Sequence, residues 1–442
     1  MVVNARWLPA VLLCLVVLGY TLSGCSKPQE KPDIVELKLT MWGKQDDMDF
    51  YLKALEEFYE EHPKVRVRIE LVPWSRMFDK LLISTAGGRP PDVSRIDSVY
   101  FTPCAAKGLL ECLDPYIEND PQFDIEDFYT PAFEGWGMYD GKIYGIPGDV
   151  DIYAMYYNKT MFDRYGIPYP DETWDWDKYL WAAKKLTKDL DGDGRLDQWG
   201  VIPDTWWQDY VWQNGGDILN EDNTECILDR PEAYKAIQFV VDLRNKYHVA
   251  PTPADAADIG PQKLFTNGQI GTYITGSWAA ALVFHREVKT FDYDAAPIPK
   301  GEKRASFMGG AAFGILKGSK HKKEAWELVK FMTSSTMQKH FAETQHIIPS
   351  RRSVAESGAY LYLRDEPKNK QVFIDAISYG YVLPNVECSR EMNDIILNEI
   401  TLAILGKKSA KEACEKVTPI VNDLLKYSRA QRIPRRSGGD RR

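Results

Sequence analysis

The sequence predicts an α/β protein built in two regions. Three observations carry this expectation. Near the N-terminus, segments with two-residue alternation of apolar and charged residues interleave with helical stripes in the order β-α-β-α-β. A second run of strand and helix patterns begins near residue 151. The chain has 442 residues, which at about 100–200 residues per domain allows two or three domains. Its 44% hydrophobic and 27% charged content rules out disorder, collagen or coiled coil as the main architecture.

Residues 34–42 read as the first strand. Residues 49–61 carry Phe50, Leu55 and Phe58 on a helical stripe that stops before Pro63. Val65, Val67, Ile69 and Leu71 alternate with Arg66, Arg68 and Glu70, a half-buried strand. Residues 75–86 form a second amphipathic helix closed by Gly87-Gly88, and residues 92–96 a third strand. This order implies a parallel sheet with right-handed crossovers, whose ligands sit beyond the carboxyl ends of its strands. Those ends carry Trp42, Pro73-Trp74 and Asp97.

In the second region, residues 153–157 are strand-like and residues 175–188 a helix with Trp176, Tyr179, Leu180, Ala183 and Leu186 inward. Residues 231–247 are another helix, and residues 269–275 a strand ending at Gly276-Ser277-Trp278. Residues 308–316 are small and glycine-rich, residues 322–343 one long amphipathic helix, and residues 391–427 one or two more. The tail from residue 428 holds six arginines and reads as a frayed, flexible basic end.

Residues 1–24 contain one base, Arg6, no acid, and a nearly unbroken apolar run over 7–22. The run ends in Leu22-Ser23-Gly24-Cys25, which resembles a bacterial lipobox, so residues 1–24 are expected to be a signal peptide and Cys25 the lipidated N-terminus. Residues 25–33 are a polar tether. No other run of 18 apolar residues occurs, so the body is expected outside the cytoplasm, anchored by lipid alone. Net charge is −9, and loss of Arg6 with the leader leaves −10, which counts against a duplex nucleic-acid binder. Beyond Cys14 and Cys25 lie Cys104, Cys112, Cys226, Cys388 and Cys414, an odd number whose pairing spacing does not settle. Small buried hydrophobes are an equal reading.

The most specific short motif is the run from Asp189 to Asp197. Asp189, Asp191 and Asp193 at loop positions one, three and five, Gly194 at six, the carbonyl of Arg195 at seven and Asp197 at nine match the first part of an EF-hand loop. Position twelve is Gly200, where an EF-hand needs a bidentate Glu, so Glu221 or Asp222 would have to complete a shell around structural Ca²⁺. The alternative is an Asp-Gly turn. No catalytic pattern is present. None of the six histidines has H-E-x-x-H spacing, Gly141-Lys142 lacks the P-loop spacer and hydroxyl, and no G-x-S-x-G occurs. A secreted glycoside hydrolase, which needs only two carboxylates, is the rival class.

Four segments together resemble the extracellular solute-binding proteins of bacterial ABC importers, in the carbohydrate-binding group that includes maltose-binding protein. They are Ala86-Gly87-Gly88-Arg89-Pro90-Pro91-Asp92-Val93, Gly141-Lys142-Ile143-Tyr144-Gly145-Ile146-Pro147, Tyr156-Tyr157-Asn158-Lys159 with Phe162, and Thr275-Gly276-Ser277-Trp278. Ile348-Pro349-Ser350-Arg351 is a weaker fifth. The resemblance implies a two-lobe periplasmic-binding-protein fold with a hinge and an interlobe ligand cleft. It places residues 33–148 plus 276–314 in one lobe and 149–275 plus 315–427 in the other. Hinge candidates are residues 145–151, 275–278 and 308–314, where Gly310 and its neighbours supply permissive backbone. It also implies a non-enzymatic monomer that hands a carbohydrate to ABC permease subunits, with no catalytic cofactor. A binding protein for peptide, polyamine or glycerol phosphate is the remaining alternative.

A sugar has a hydroxyl rim and apolar C–H faces, so its site needs flat apolar plates and planar hydrogen-bonding groups. Trp42, Trp74, Trp206, Trp207 and Trp278 are the candidate plates, and Asp97, Asp151 and Arg351 the polar partners. Core packing is the alternative for each indole. Trp176, Trp181 and Trp326 lie at helical spacing and are expected in the core, while Trp212 fits either role.

Overall fold

The computed structural model describes residues 34–43, 48–202, 206–252, 255, 259–345, 347–363 and 365–432. The leader, Cys25 and the tether lie outside the described residues.

The first unit follows the expected pattern. Strand β1 (Val35–Met41), helix α1 (Met48–Glu61), strand β2 (Val65–Leu71), helix α2 (Met77–Ala86) and strand β3 (Val93–Asp97) succeed one another, with β1 central and parallel to both β2 and β3. Asp97 then caps helix α3 (Ser98–Ala106), its carboxylate accepting from the Val99 N–H at 3.0 Å. Two long strands connect this unit to the rest. Strand β4 (Ile146–Asn158) runs 13 residues. Its first half pairs with a later strand, β8, and its second half with strands that follow helix α4 (Trp176–Leu186), strand β5 (Trp199–Ile202), helix α5 (Gln208–Gln213) and helix α6 (Pro231–Asn245). Those are β6 (Ile270–Gly276) and β7 (Tyr293–Ala296). β8 (Ser306–Ile315) is antiparallel to both β3 and β4. One ten-stranded sheet results, ordered β2-β1-β3-β8-β4-β6-β5, with β7 and the short strand β9 (Ile348–Pro349) on β4 and the short strand β10 (Gly380–Tyr381) on β8.

β8 begins beside Gly380 in the second region and ends against Val93 in the first. What precedes it therefore packs with the second region, and what immediately follows packs with the first. β7 pairs with the far half of β4, whereas helix α7 (Lys322–Met332) buries Ala325, Trp326, Leu328 and Val329 among Leu37, Leu39 and Phe58. Residues 293–296 thus pair with the second region, and helix α7 packs on the first. The second core gathers Tyr179, Ala183, Leu186, Trp212, Ile237 and Val240 with Met392 and Ile396 of helix α9 (Ser389–Ile404) and Val417 and Val421 of helix α10 (Ala410–Arg432).

Two helix boundaries also differ from expectation. The long helix over 322–343 is broken into α7 and α8 (Ser335–Gln345), because the Thr333 carbonyl accepts from the Arg351 and Gln338 side chains. The C-terminal helix continues to Arg432 instead of fraying at residue 428, since Ser428 Oγ donates to Glu387 and Arg429 donates to the Asn223 carbonyl at 2.6 Å. Trp181, expected in the core, is 44% exposed, while Trp326 is buried as expected and Trp176 is partly buried, stacked on Phe239. Cys104, Cys112, Cys226, Cys388 and Cys414 are all free thiols.

Candidate functional site

Parallel strands β1, β2 and β3 end on one side, and that common direction brings Trp42, Trp74 and Asp97 together. Trp74 Nε1 donates to Asp97 Oδ2 at 2.9 Å, with the indole 44% exposed. Two residues before Asp97, Arg95 lies over the Trp42 ring, 4.3 Å from its centroid, and its guanidinium pairs with Asp149 of β4. Register fixes this meeting. Ala311 of β8 stands opposite Asp97 on one side and Asp149 on the other. Its N–H donates to Asp149 Oδ1 at 2.8 Å.

Asp151 follows Asp149 by one strand repeat. Its Oδ1 accepts from Ser277 Oγ at 2.5 Å and from the Trp278 N–H at 3.2 Å, which anchors the corner after β6. Gly276 is required there, because a Cβ would lie 2.4 Å from Trp278 Cδ1 and 2.5 Å from Asp151 Oδ2. Gly310 is required for a similar reason, since a Cβ would lie 2.4 Å from the Asp149 carbonyl and 2.8 Å from the buried Trp136 ring. Its N–H donates to Ser98 Oγ at 3.4 Å. Trp206 stacks on Phe307 of β8 with centroids 4.4 Å apart.

The electrostatics follow from the burial of carboxylates on β3 and β4, the two strands that flank β8. Burial pushes Asp97 up to about 6 against the Val99 and Trp74 hydrogen bonds that favour its anion, and the Asp149 charge adds to the rise. Burial pushes Asp151 up to about 7, opposed by Ser277 and Trp278 and reinforced by Asp149 and Asp97. Each group is therefore an acceptor-rich edge beside an indole. Such a pairing binds a hydroxyl-bearing ring at its face and its rim.

Trp42, Trp74, Asp97, Asp151, Trp278 and Gly310 thus belong to one linked group of contacts, and Trp206 borders it through Phe307. Two expected members do not join it. Trp207 is 2% exposed and packs in the second core with Tyr210 and Trp212. The Arg351 guanidinium is held by the Thr333 carbonyl at 2.8 Å, the Asp124 carbonyl and Asp127, and it covers Phe128. Arg95 and Asp149, which sequence reading did not single out, stand in the group. Their signal was the two-residue strand period, which puts Arg95 on the face of Asp97 and Asp149 on the face of Asp151.

The acidic loop assembles fewer groups than its pattern promises. Asp189, Asp191 and Asp197 each bring a carboxylate oxygen within 4.8 Å of the others. Asp193 stands outside this trio and accepts from the Arg195 N–H at 2.7 Å. Neither Glu221 nor Asp222 joins it among the described residues. Asp189 also accepts from the Gly192 and Gly194 N–H groups, which hold its carboxyl below the ordinary range.

Residues 42–339 match the family model for bacterial extracellular solute-binding proteins. A binding protein of Brucella abortus is 27% identical over 410 residues, 91% of this chain and 94% of the relative. The arabinooligosaccharide-binding protein of Bacillus subtilis is 25% identical over 73% of this chain and 75% of its own length. Among solved structures, an ABC substrate-binding protein from Listeria monocytogenes in complex with cycloalternan superposes with a TM-score of 0.82 at 26% identity. That likeness covers 89% of this chain and all of the other.

Proposed function

We propose that this chain, which belongs to the bacterial extracellular solute-binding protein family, captures a sugar or oligosaccharide outside the membrane and delivers it unaltered to an ABC permease. One observation carries the reading. Trp74 donates through Nε1 to Asp97 and the Trp42 ring lies against the Asp149-held Arg95 on one side, while on the other Trp278 is anchored to Asp151 by its backbone N–H. β4 and β8 link the two sets, so a ligand held by both would favour one relative placement of the regions by its differential affinity. The matched relatives named for oligosaccharides and the cycloalternan complex support the same reading.

The carboxylates serve as acceptors for ligand hydroxyls in this reading, and the chain acts as a monomer with no catalytic role. Lipid on Cys25 holds it at the cell surface or in the periplasm. Cys25→Ala is then expected to move the protein from the membrane to the soluble fraction. Structural Ca²⁺ at Asp189, Asp191 and Asp197 belongs to the same proposal, supported by the convergence of their three carboxylate oxygens.

A thermal-shift screen of residues 26–442 against neutral oligosaccharides tests the sugar reading, with the sugar recovered afterwards. A concentration-dependent rise in melting temperature with intact sugar is the expected outcome. Cleaved sugar would establish the hydrolase class instead.

A further inference from the structure

The cleft is asymmetric in charge. Asp97, Asp149 and Asp151 converge from β3 and β4, and one guanidinium stands among them. That guanidinium is already engaged. Arg95 is paired with Asp149, and its face is covered by the Trp42 ring. The second arginine that sequence placed at the ligand, Arg351, is held by Thr333, Asp124 and Asp127 away from the group. Arg390 of α9 is bound to Asp79 at 2.7 Å and lies over Phe78.

Asp97 and Asp151 differ from Asp149 in having only uncharged donors. Asp97 is held by Trp74 Nε1 and the Val99 N–H, and Asp151 by Ser277 Oγ and the Trp278 N–H. An ionised carboxylate offers about four acceptor sites. Each of these two retains acceptor capacity after its protein partners are counted. A ligand meeting them must therefore bring donors. Hydroxyls satisfy that need, and a protonated amine satisfies it with charge compensation as well. A carboxylate, sulfate or phosphate on the ligand brings acceptors and like charge to a half-buried site where repulsion is poorly screened.

Resting on the sugar-binding reading, we infer that the cleft selects its glycan by charge, accepting neutral or amine-bearing sugars and rejecting uronic, sulfated or phosphorylated ones, with Asp97 and Asp151 as the specificity-determining residues. Burial is the main cause that raises the proton affinity of both groups, and the Asp149 charge adds to it.

The test uses one sugar backbone in three charge states. Malto-, cello- and galacto-oligosaccharides are titrated calorimetrically into the tether-to-tail protein at low salt and about pH 8, where both carboxyls are ionised. The backbone that binds is then compared with its C6-carboxylate and C6-amine derivatives. The carboxylate is expected to bind at least about tenfold more weakly than the parent, and the amine at least as tightly. In the double variant Asp97→Asn, Asp151→Asn, the interval between carboxylate and amine is expected to shrink towards parity. A carboxylate derivative that binds the wild type within about twofold of its parent overturns the inference. So does an interval unchanged in the double variant. If that variant melts early, Asp97→Asn alone carries this arm, because its Trp74 partner is exposed. Failure of every oligosaccharide to bind would count against the sugar reading itself, whereas equal binding of all three charge states leaves that reading standing and removes only the charge rule.

Discussion

Two groups of aspartates do opposite things in this molecule. Asp97, Asp149 and Asp151 come from strands far apart in sequence and meet across β8, with Asp149 7% exposed. Asp189, Asp191 and Asp197 are packed into nine residues of an exposed loop. The first group perturbs itself: Asp97 and Asp151 hold protons up to about 6 and 7, with burial as the main cause and mutual repulsion added. In the second, the Asp189 carboxyl moves the other way, because backbone N–H groups stabilise its anion in water. The density of acids along a chain therefore says little about their chemistry. Removal from water and cross-strand register decide it.

The largest expected effect falls on the buried group. Arg95→Ala would leave Asp149 unpaired beside Ala311 and is expected to cost about 3–5 kcal/mol of folding stability, read from denaturant midpoints. A loss below about 1 kcal/mol would mean that the Ala311 N–H alone satisfies Asp149. Next comes the plate on the other side. Trp278→Ala is expected to weaken glycan binding by about 2 kcal/mol while leaving the fold intact, measured by calorimetry and by melting temperature. Unchanged affinity would remove Trp278 from the site.

The strands and helices of the first unit are legible because each is half-buried and shows its period openly. β4 is less so. It is buried along nearly its whole length, and Pro147, Gly148, Asp149 and Asp151 interrupt its apolar run, so sequence reveals only the stretch around Tyr153–Tyr157. The same interruption hides the Arg95–Asp149 pair, whose partners are 54 residues apart. Trp42, Trp74 and Asp97 are legible because parallel topology alone puts three strand ends together. Trp207 is not separable from Trp206 by sequence, since both pack on the second core and only their depth differs, Trp207 being buried and Trp206 partly buried. Strand direction through β8, which local pattern does not record, determines which region the next segment packs on.

A pH series sharpens the contrast between the two groups. Asp97 and Asp151 hold their protons more tightly folded than unfolded, so the folded state binds more protons through the interval between the ordinary carboxylate range and about pH 7. Stability must then fall as pH rises through that interval. Asp151→Asn removes one contributor, and the variant's melting temperature is expected to gain on the wild type between about pH 5 and about pH 8. A difference constant with pH would show that Asp151 does not titrate there. Asp189 has the opposite sign, being held below its ordinary value, so any stability it contributes is lost only on acidification through the carboxylate range.

The smallest expected effect belongs to the acidic loop. Its carboxylates already satisfy backbone donors: Asp189 accepts from Gly192 and Gly194, Asp191 from Asp193, and Asp197 from Leu190. The turn thus has its own internal bonding, and a cation adds to a loop already shaped to receive it. Ca²⁺ added after chelation is expected to raise the melting temperature by a small, saturable amount, because binding to the folded state alone stabilises it by mass action. Asp191→Asn should abolish that rise while leaving glycan affinity unchanged, since Asp191 is exposed and bonds within its own loop, to the Asp193 N–H. Absence of any Ca²⁺-dependent shift in the wild type would reduce the loop to an Asp-Gly turn. The contrast between the two aspartate groups would then be one of function against local bonding, not of ligand against metal.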